Sequence, residues 1–399
     1  MGIRAIHVTF ALAALLCGFA PSGFAGGFRA GAASVDITPV KWPVVVNGGF
    51  LSAQANSAKD ALHARCVVLD DGTTMLAMCV VDTCVIPHEL VNEARLKIVA
   101  ATGIAGDHVM ISATHTHSAP SLMALLGVDA DANYPPLLVE KLVEGVSKAK
   151  TNLAPARYGW AVVKDFEHTN CRQWFFRPDR MGSDPFGEQT VRVNMHPGYE
   201  NSSTIGPSGP IDPDLSILSF QTADGKPLAV LANYSMHYFG SDAVSADYFG
   251  RFCAQMEKAI APQPAGNGAP FVAILSQGTA GDLHWMDYSQ RQKKISIDDY
   301  AGALARLAQG AYAKIDYKSE ATVAMRARDL PLRVREPDEK RLAWAKGVVE
   351  GMKGRQPKSL PEVYAREAIE LHKNPTRDVK IAAIRIGDVG MATISCEVF

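Results

Sequence analysis

Two histidines one residue apart, His115 and His117, follow an apolar run that starts at His108. The run predicts a strand that breaks at the turn Ser118-Ala119-Pro120 and delivers both imidazoles to its carboxyl end, where α/β enzymes place their chemistry. Because alternate residues of an extended strand share one face, both rings could serve one small site. They could act as two metal ligands, or as one ligand and one base.

Another apolar run, which starts at Leu228, leads to His237 and predicts a second strand with an imidazole beyond its end. Asp247 follows closely, and a carboxylate in that position could orient a metal-binding imidazole. The closing apolar run of the chain ends in the same manner, at Glu397. These strand ends therefore offer two more side chains of the types that bind zinc.

A glycine-rich segment supplies the remaining candidates. The apolar run Phe271–Ser276 leads into Gln277-Gly-Thr-Ala-Gly-Asp282-Leu-His284. Its two glycines permit a tight turn and a close approach of backbone N–H groups to an oxyanion. Asp282 and His284 are therefore candidate catalytic residues.

These motifs together resemble the amino-terminal catalytic domain of neutral/alkaline, non-lysosomal ceramidases. The segments that carry the resemblance are Gly31–Pro39, His115–Pro120, Asn170–Arg172, Asn233–Tyr248, Gly278–Asp282 and Ser395–Glu397. The resemblance implies that His115 and His237 are zinc ligands and that Glu397 is a third. It also implies that His117 and Arg172 face the substrate.

The chain departs from this family at two places. The family has a serine two residues after the Asp of its Gly-Asp motif, where this chain has His284. The resemblance therefore leaves two substrates open, ceramide or another N-acyl compound. The family also supplies a zinc-bound tyrosine beyond the glutamate, whereas this sequence ends at Phe399. We expect either a fragment that binds zinc more tightly when extended, or a fourth ligand from elsewhere.

The chemistry that we predict is zinc-dependent hydrolysis of a linear amide. Two imidazoles and a carboxylate leave Zn²⁺ an open position for water, whose pKa the metal lowers from about 15.7 toward about 7. His117 is placed to act as general base or acid, and Arg172 with N–H groups around Gly281 is expected to hold the oxyanion. Asp82, which ends the apolar run from Met75, is a candidate partner behind the ligands.

Two alternatives stay open. A non-catalytic lipid- or carbohydrate-binding relative could have kept the fold and lost the site, and His284 in place of serine fits such decay. A metallophosphoesterase would require several carboxylates that bridge two metals, for which Asp282 and Asp247 are available. Histidines outnumber carboxylates among the motifs, which favours the amide hydrolase over the phosphoesterase.

The composition limits the partners. The 399 residues include 40 basic and 41 acidic side chains, with a formal net charge of -1 and no basic run, which argues against nucleic acid as a partner. We expect a small-molecule or lipid substrate, and the oligomeric state stays open. Residues 1–25 predict a signal peptide, with Arg4 ahead of an apolar stretch and small residues at Gly23-Phe24-Ala25. The protein is therefore expected to be exported, to the periplasm or beyond, with no transmembrane segment after processing.

The pattern of elements predicts an α/β fold with mixed β-sheets flanked by helices, as a single large layered domain over residues 26–399. Helices are predicted at residues 88–101, 137–149, 299–315 and 338–352. Hairpins are predicted for residues 66–81, 216–233 and 379–394, the last with a buried strand at Val389–Ile394. Residues 174–213 are rich in turn formers and predict a long loop. The six cysteines after residue 25 lack Cys-x-x-Cys spacing and are expected to be mostly buried thiols.

Overall fold

A computed structural model describes residues 27–262 and 268–399. The predicted signal peptide, residues 1–25, lies outside the described residues, and the division of the chain into a signal peptide and one domain stays a prediction. The helices are α1 (His88–Thr102), α2 (Tyr134–Thr151), α3 (Asp247–Ile260), α4 (Ile297–Tyr312), α5 (Glu339–Met352) and α6 (Leu360–Lys373). The strands are β1 (Arg29–Asp36), β2 (Val44–Asn47), β3 (Ala53–Ala55), β4 (His63–Asp70), β5 (Met75–Val81), β6 (Val109–Ala113), β7 (Ala119–Pro120), β8 (Ala154–Lys164), β9 (Asn170–Cys171), β10 (Gln173–Phe176), β11 (Val193–Met195), β12 (Thr204–Pro207), β13 (Asp214–Thr222), β14 (Pro227–Tyr234), β15 (Val272–Gln277), β16 (Leu283–His284), β17 (Val323–Arg333), β18 (Thr376–Ile386) and β19 (Val389–Ile394).

The largest sheet has the strand order β15-β14-β13-β8-β1-β4-β5-β6 and consists of two halves. In the strand order, the halves are joined where β1 pairs with β8, at Arg29 and Ala30 of β1. In one half β4 and β5 form an antiparallel hairpin and β6 adds parallel to β5. In the other half β13 and β14 form an antiparallel hairpin and β15 adds parallel to β14. Both predicted hairpins are confirmed, and the sheet is mixed as expected.

The two halves pack face to face, because side chains alternate along each strand. One face of each half contributes to a shared apolar core, which includes Val67, Leu69, Leu76, Met78, Leu218, Phe220, Leu231 and Ile274. The opposite face of the β1/β4/β5/β6 half packs on α1 and α2. The opposite face of the β8/β13/β14/β15 half packs on α3 and α4. The result is a four-layer arrangement of helices, sheet, sheet and helices, and the predicted α/β class is confirmed.

The helix starts follow the local signals in part. Ser296 caps α4 by accepting a hydrogen bond from the Asp299 N–H, and Asp338 caps α5 in the same way from Arg341. Gly103 ends α1 in a left-handed conformation with φ 71°. Helices α3 and α6 are absent from the prediction, although the spacing of Phe249, Phe252, Cys253 and Met256 gives α3 a one-sided apolar face.

Two expectations about strands are wrong. Val389–Ile394 is not a buried strand, because β19 pairs only with β18 at the edge of a separate sheet, and Ile394 is 47% exposed. The hairpin between β18 and β19 is nevertheless confirmed. The predicted loop after residue 174 contains β10, β11 and β12, which form a small sheet of their own. Strands of three or four residues show little alternation of apolar and polar side chains, so they are hard to predict from the sequence. They form because they pair with one another.

Five of the six cysteines in the described residues are buried and Cys396 is exposed, each as a free thiol. Within residues 27–262 and 268–399, no helix combines the length and apolar character that a membrane crossing requires.

Candidate functional site

The two halves of the large sheet bring their histidines to one place. His115 follows β6 and His237 follows β14, on opposite halves of the sandwich. Their ring centroids lie 4.6 Å apart, and the His117 ring lies 4.7 Å from the first and 4.9 Å from the second. The structure therefore brings the three sequence-predicted histidines into one cluster. They come from strand ends 120 residues apart in the sequence.

His115 and His237 are each oriented by a backbone carbonyl. Nδ1 of His115 donates to the Cys84 carbonyl at 2.8 Å, and Nδ1 of His237 donates to the Ala280 carbonyl at 2.9 Å. A neutral imidazole that donates from Nδ1 has a free lone pair on Nε2, which is the form that binds a metal. Burial lowers the pKa of His115 and lowers that of His237 well below its usual range, so both rings are neutral at pH 7.

His115 adopts a backbone conformation that few non-glycine residues accept, with φ 69°. The backbone N–H of His115 donates a hydrogen bond to the Thr83 carbonyl at 2.9 Å, which attaches the turn after β6 to the end of β5. Strain of this kind persists only where surrounding contacts maintain it, and such residues cluster at functional sites.

Glu397 lies beside both rings. Its Oε1 is 3.3 Å from Nδ1 of His237 and 3.8 Å from Nε2 of His115, and its side chain is 39% exposed. The end of the chain is held there, because the Val398 carbonyl accepts a hydrogen bond from the Gly281 N–H at 2.8 Å. His115, His237 and Glu397 form one of two clusters of possible metal ligands in the described residues, with ligand atoms within 4.8 Å of one another. Two neutral imidazoles and a carboxylate fit the donor set that zinc takes in catalytic sites.

His117 contacts both of these histidines. Its Nε2 lies 3.1 Å from Nε2 of His115 and 3.1 Å from Nε2 of His237. The Tyr238 ring stacks on the His117 ring at 3.9 Å between centroids and 15° between planes. Burial and the neighbouring His115 hold the pKa of His117 well below its usual range. The His117 ring is thus neutral, and the stacked Tyr238 ring fixes its orientation beside the candidate ligands His115 and His237.

Gly48 sets the position of His117. It has φ 117°, and a Cβ placed on it would lie 2.5 Å from the His117 Cβ. We expect Gly48→Ala to displace His117 and to lower the free energy of unfolding by about 1–3 kcal/mol, because this conformation is open almost only to glycine. Urea denaturation and an activity assay measure both effects. Gly49→Ala is the matched control, since its nearest neighbours lie at 3.5 Å or beyond. Equal behaviour of the two variants would contradict this prediction.

Arg172 binds the glycine-rich loop and lies beside Glu397. Its Nε and Nη2 donate to the Gly281 carbonyl at 3.0 and 2.6 Å, and Nη2 lies 3.7 Å from Glu397 Oε1. The guanidinium is buried and joins the glycine-rich loop to the carboxylate. Two N–H groups of this loop also have partners, because Gly281 donates to the Val398 carbonyl and Gly278 donates to the Tyr234 carbonyl. The Gly281 N–H is therefore not available to an oxyanion, whereas the oxyanion role of Arg172 and of the other N–H groups around Gly281 stays a prediction.

Asp247 and Asp82, the two carboxylates expected behind the metal ligands, form hydrogen bonds that stabilise the fold. Asp247 accepts hydrogen bonds from the N–H groups of Phe239 and Gly240 at 2.9 and 2.8 Å, so it orders the turn after His237 and does not orient the imidazole. Asp82 accepts from Arg65 at 2.7 Å and from the His63 N–H at 2.8 Å, behind β5. Both predicted roles are corrected, since local sequence does not say which donor lies nearest.

Asp282 and His284 differ in their relation to the cluster. Asp282 lies outside both clusters of possible metal ligands in the described residues, and its main-chain carbonyl accepts the Arg172 N–H at 2.7 Å. His284 is buried and its ring meets the Tyr238 ring edge to face at 5.3 Å. His284 therefore belongs to the wall of the site, whereas Asp282 contacts Arg172 through its main chain, and its catalytic role stays a prediction.

Sequence reasoning missed Tyr238, Cys84 and Gly48. Tyr238 stacks on His117, and the Cys84 carbonyl orients His115. Cys84 also forms the second possible ligand cluster with His115 and His117. A signal existed only for Tyr238, which is adjacent to His237 in the sequence. Cys84 acts through its backbone carbonyl and Gly48 through the absence of a side chain. Neither role can be predicted from the residue type.

No family model matches the chain. Neutral ceramidase B from Dictyostelium discoideum is 25% identical over 275 residues, which cover 64% of this chain and 35% of that protein. The crystal structure of the neutral ceramidase from Pseudomonas aeruginosa matches with a TM-score of 0.62 and 16% identity, over 92% of this chain and 62% of that one. A ceramidase complexed with C2 matches with a TM-score of 0.63 and 17% identity, over 92% and 63% of the two chains.

The chain thus spans about a third of the Dictyostelium relative and less than two thirds of the solved structures. The structural matches show a shared fold, and the sequence match agrees with it. Four of the segments that carry the resemblance supply His115, Arg172, His237 and Glu397, which the fold brings close together. The chain is therefore similar in sequence to a neutral ceramidase and shares the fold of solved neutral ceramidase structures.

Proposed function

We propose that this protein is a zinc-dependent amidohydrolase that cleaves a linear N-acyl bond. The observation that carries the proposal is the pair of neutral imidazoles, His115 and His237, whose Nδ1 atoms are committed to carbonyls while Glu397 lies beside both. The names of the similar proteins, which are ceramidases, support an amide as the bond that is cleaved. The substrate is a lipid or a small molecule.

Three ligand residues, a proton-transfer residue and a positioning residue have separate roles in the proposed reaction. A zinc ion bound by His115, His237 and Glu397 would supply Lewis acidity, which polarises a carbonyl and lowers the pKa of water to about 7. His117 holds and moves a proton at Nε2, because the atom lies 3.1 Å from both imidazole ligands and the ring is fixed by Tyr238. Arg172 keeps Glu397 and the loop carbonyl of Gly281 in place.

Metal analysis combined with an amide panel tests the proposal. The purified protein is expected to contain about one zinc per chain, to lose amide hydrolysis on chelation and to regain it with zinc. The panel consists of N-acyl amines that differ in acyl length, and phosphate monoesters serve as the control for phosphoesterase chemistry. Amide hydrolysis that survives complete removal of metal would contradict the role of zinc. Hydrolysis of the phosphate esters alone would contradict the reaction class.

His117→Ala is expected to lower turnover by about 10²–10⁴-fold while zinc stays bound, since general acid–base groups contribute that much. Elemental analysis and steady-state kinetics on the same preparation measure the two quantities. Tyr238→Phe is the matched control, because it keeps the ring that stacks on His117. Loss of zinc in parallel with turnover would make His117 a ligand.

Export is part of the proposal and depends on residues 1–25 alone, where a charged start precedes an apolar stretch and small residues. Amino-terminal sequencing of the protein recovered outside the cytoplasm is expected to begin after Ala25. An uncleaved amino terminus would contradict the proposal.

A further inference from the structure

His284 has a buried nitrogen that no protein group satisfies. The residue is 2% exposed and lies in β16, where it pairs with Asn170 of β9. Its Nδ1 is buried without a hydrogen-bond partner among the described residues. Proteins pay a large penalty for such an atom, so nearly all buried polar atoms have a partner. A bound molecule next to the site would supply this partner.

The surroundings of His284 are polar and aromatic. The His196 ring meets the His284 ring at 5.0 Å and 90°, and His196 Nδ1 is hydrogen-bonded to the Tyr288 hydroxyl. The positive charge of Arg172 acts on both imidazoles. A wall built from imidazole, phenol and guanidinium groups suits a polar group and is a poor surface for an alkyl chain.

His284 is one ring away from the proton-transfer residue. The Tyr238 ring stacks on the His117 ring at 3.9 Å and also meets the His284 ring at 5.3 Å, with those two planes 88° apart. A molecule that reaches His284 from the metal cluster therefore needs to extend only past one tyrosine ring. A substituent close to the amide that is cleaved is the part of a substrate that would lie there.

We propose that His284 determines specificity by forming a hydrogen bond through Nδ1 with an oxygen substituent of the substrate, close to the scissile amide. The inference rests on the proposed amide hydrolysis. The oxygen can belong to a hydroxyl or to a carboxylate, and these two sources are separated by the choice of substrates.

Three N-acyl amines with the same acyl chain test the proposal. They are an N-acylpropylamine, an N-acylethanolamine and an N-acylglycine, which place a methyl group, a hydroxyl or a carboxylate at similar positions. The zinc-loaded parent is expected to favour one oxygen-bearing substrate over the propylamine by about 10- to 100-fold in kcat/KM. His284→Phe is expected to remove this preference, since phenylalanine keeps the ring and loses the nitrogen.

Two smaller variants locate the nitrogen and protect the test against misfolding. The side-chain amide of His284→Asn reaches the place of Nδ1, whereas that of His284→Gln reaches the place of Nε2. The preference is expected to survive in His284→Asn and to fall in His284→Gln. Zinc content and the melting temperature are measured for each variant. If His284→Phe does not fold, the Asn and Gln variants decide between the outcomes.

Product binding separates this inference from the proposed function. Ethanolamine, glycine and propylamine are titrated calorimetrically into the zinc-loaded parent and His284→Phe, which requires no turnover. Weaker binding of the oxygen-bearing amine by His284→Phe supports the inference even if the amide panel fails. Equal discrimination by parent and His284→Phe, in kinetics or in binding, overturns it, because water then satisfies Nδ1. Absence of amide hydrolysis in the parent overturns the proposed function instead.

Discussion

Replacing His115 or His237 with alanine is expected to remove the bound metal and, with it, metal-dependent turnover. Each ring is neutral and donates from Nδ1 to a carbonyl, so each offers an Nε2 lone pair to the ion. Loss of one imidazole leaves a zinc site with too few protein ligands. Elemental analysis after dialysis is expected to fall from about one zinc per chain in the parent to near zero in either variant.

The matched control is His168→Ala. His168 is also a partly buried histidine with Nδ1 hydrogen-bonded, in its case to Asp165 at 3.0 Å, and it belongs to neither cluster of possible ligands in the described residues. It is expected to keep parental zinc. Glu397→Gln is expected to bind zinc more weakly, because the amide carries no charge. Unchanged zinc in the His115 and His237 variants would place the metal elsewhere.

Asp82→Ala is expected to lower the free energy of unfolding by about 3–5 kcal/mol, because it leaves the buried Arg65 charge without its partner. Arg65 and Asp82 are both buried, and Arg65 Nη1 lies 2.7 Å from Asp82 Oδ2. The carboxylate and further interactions raise the pKa of Arg65 despite its burial, so the guanidinium stays charged. Urea denaturation followed by circular dichroism measures the change, which is large against a typical stability of about 5–15 kcal/mol.

Two comparisons make this second result specific. Glu93→Ala removes an exposed i,i+4 ion pair with Lys97 and is expected to cost about 0.5 kcal/mol or less. Removal of both buried partners, in Arg65→Met with Asp82→Leu, is expected to cost less than Asp82→Ala alone, since no charge is left unpaired. A small effect of Asp82→Ala would show that water reaches Arg65.

Local sequence was enough for the elements that depend on short-range patterns. The hairpins β4–β5, β13–β14 and β18–β19 follow from apolar runs joined by short turns with glycine. Helices α1, α2, α4 and α5 follow from apolar periodicity and end signals. The prediction omits α3 and α6. The sequence does carry a signal for α3, because its apolar residues have the spacing of an amphipathic helix.

The principal histidines could also be found from the sequence. A residue that follows a strand in an α/β sheet lies at a known edge, which placed His115, His117 and His237 in one region before any fold was known. What the pattern could not give was their mutual geometry. That the Nε2 atoms of His117 and His237 lie 3.1 Å apart follows from two half-sheets that pack face to face.

The sequence by itself determined which residue types stand at the ends of the strands, because side-chain alternation and turn formers act over a few residues. The tertiary structure decided the partner of each polar group. Asp247 accepts hydrogen bonds from two backbone N–H groups, Asp82 accepts one from Arg65, and the Gly281 N–H donates to the Val398 carbonyl. Nδ1 of His284 has no hydrogen-bond partner among the described residues. A hydrogen bond forms with whichever donor or acceptor the packed chain brings within about 3 Å, and that neighbour is often more than a hundred residues away in the sequence.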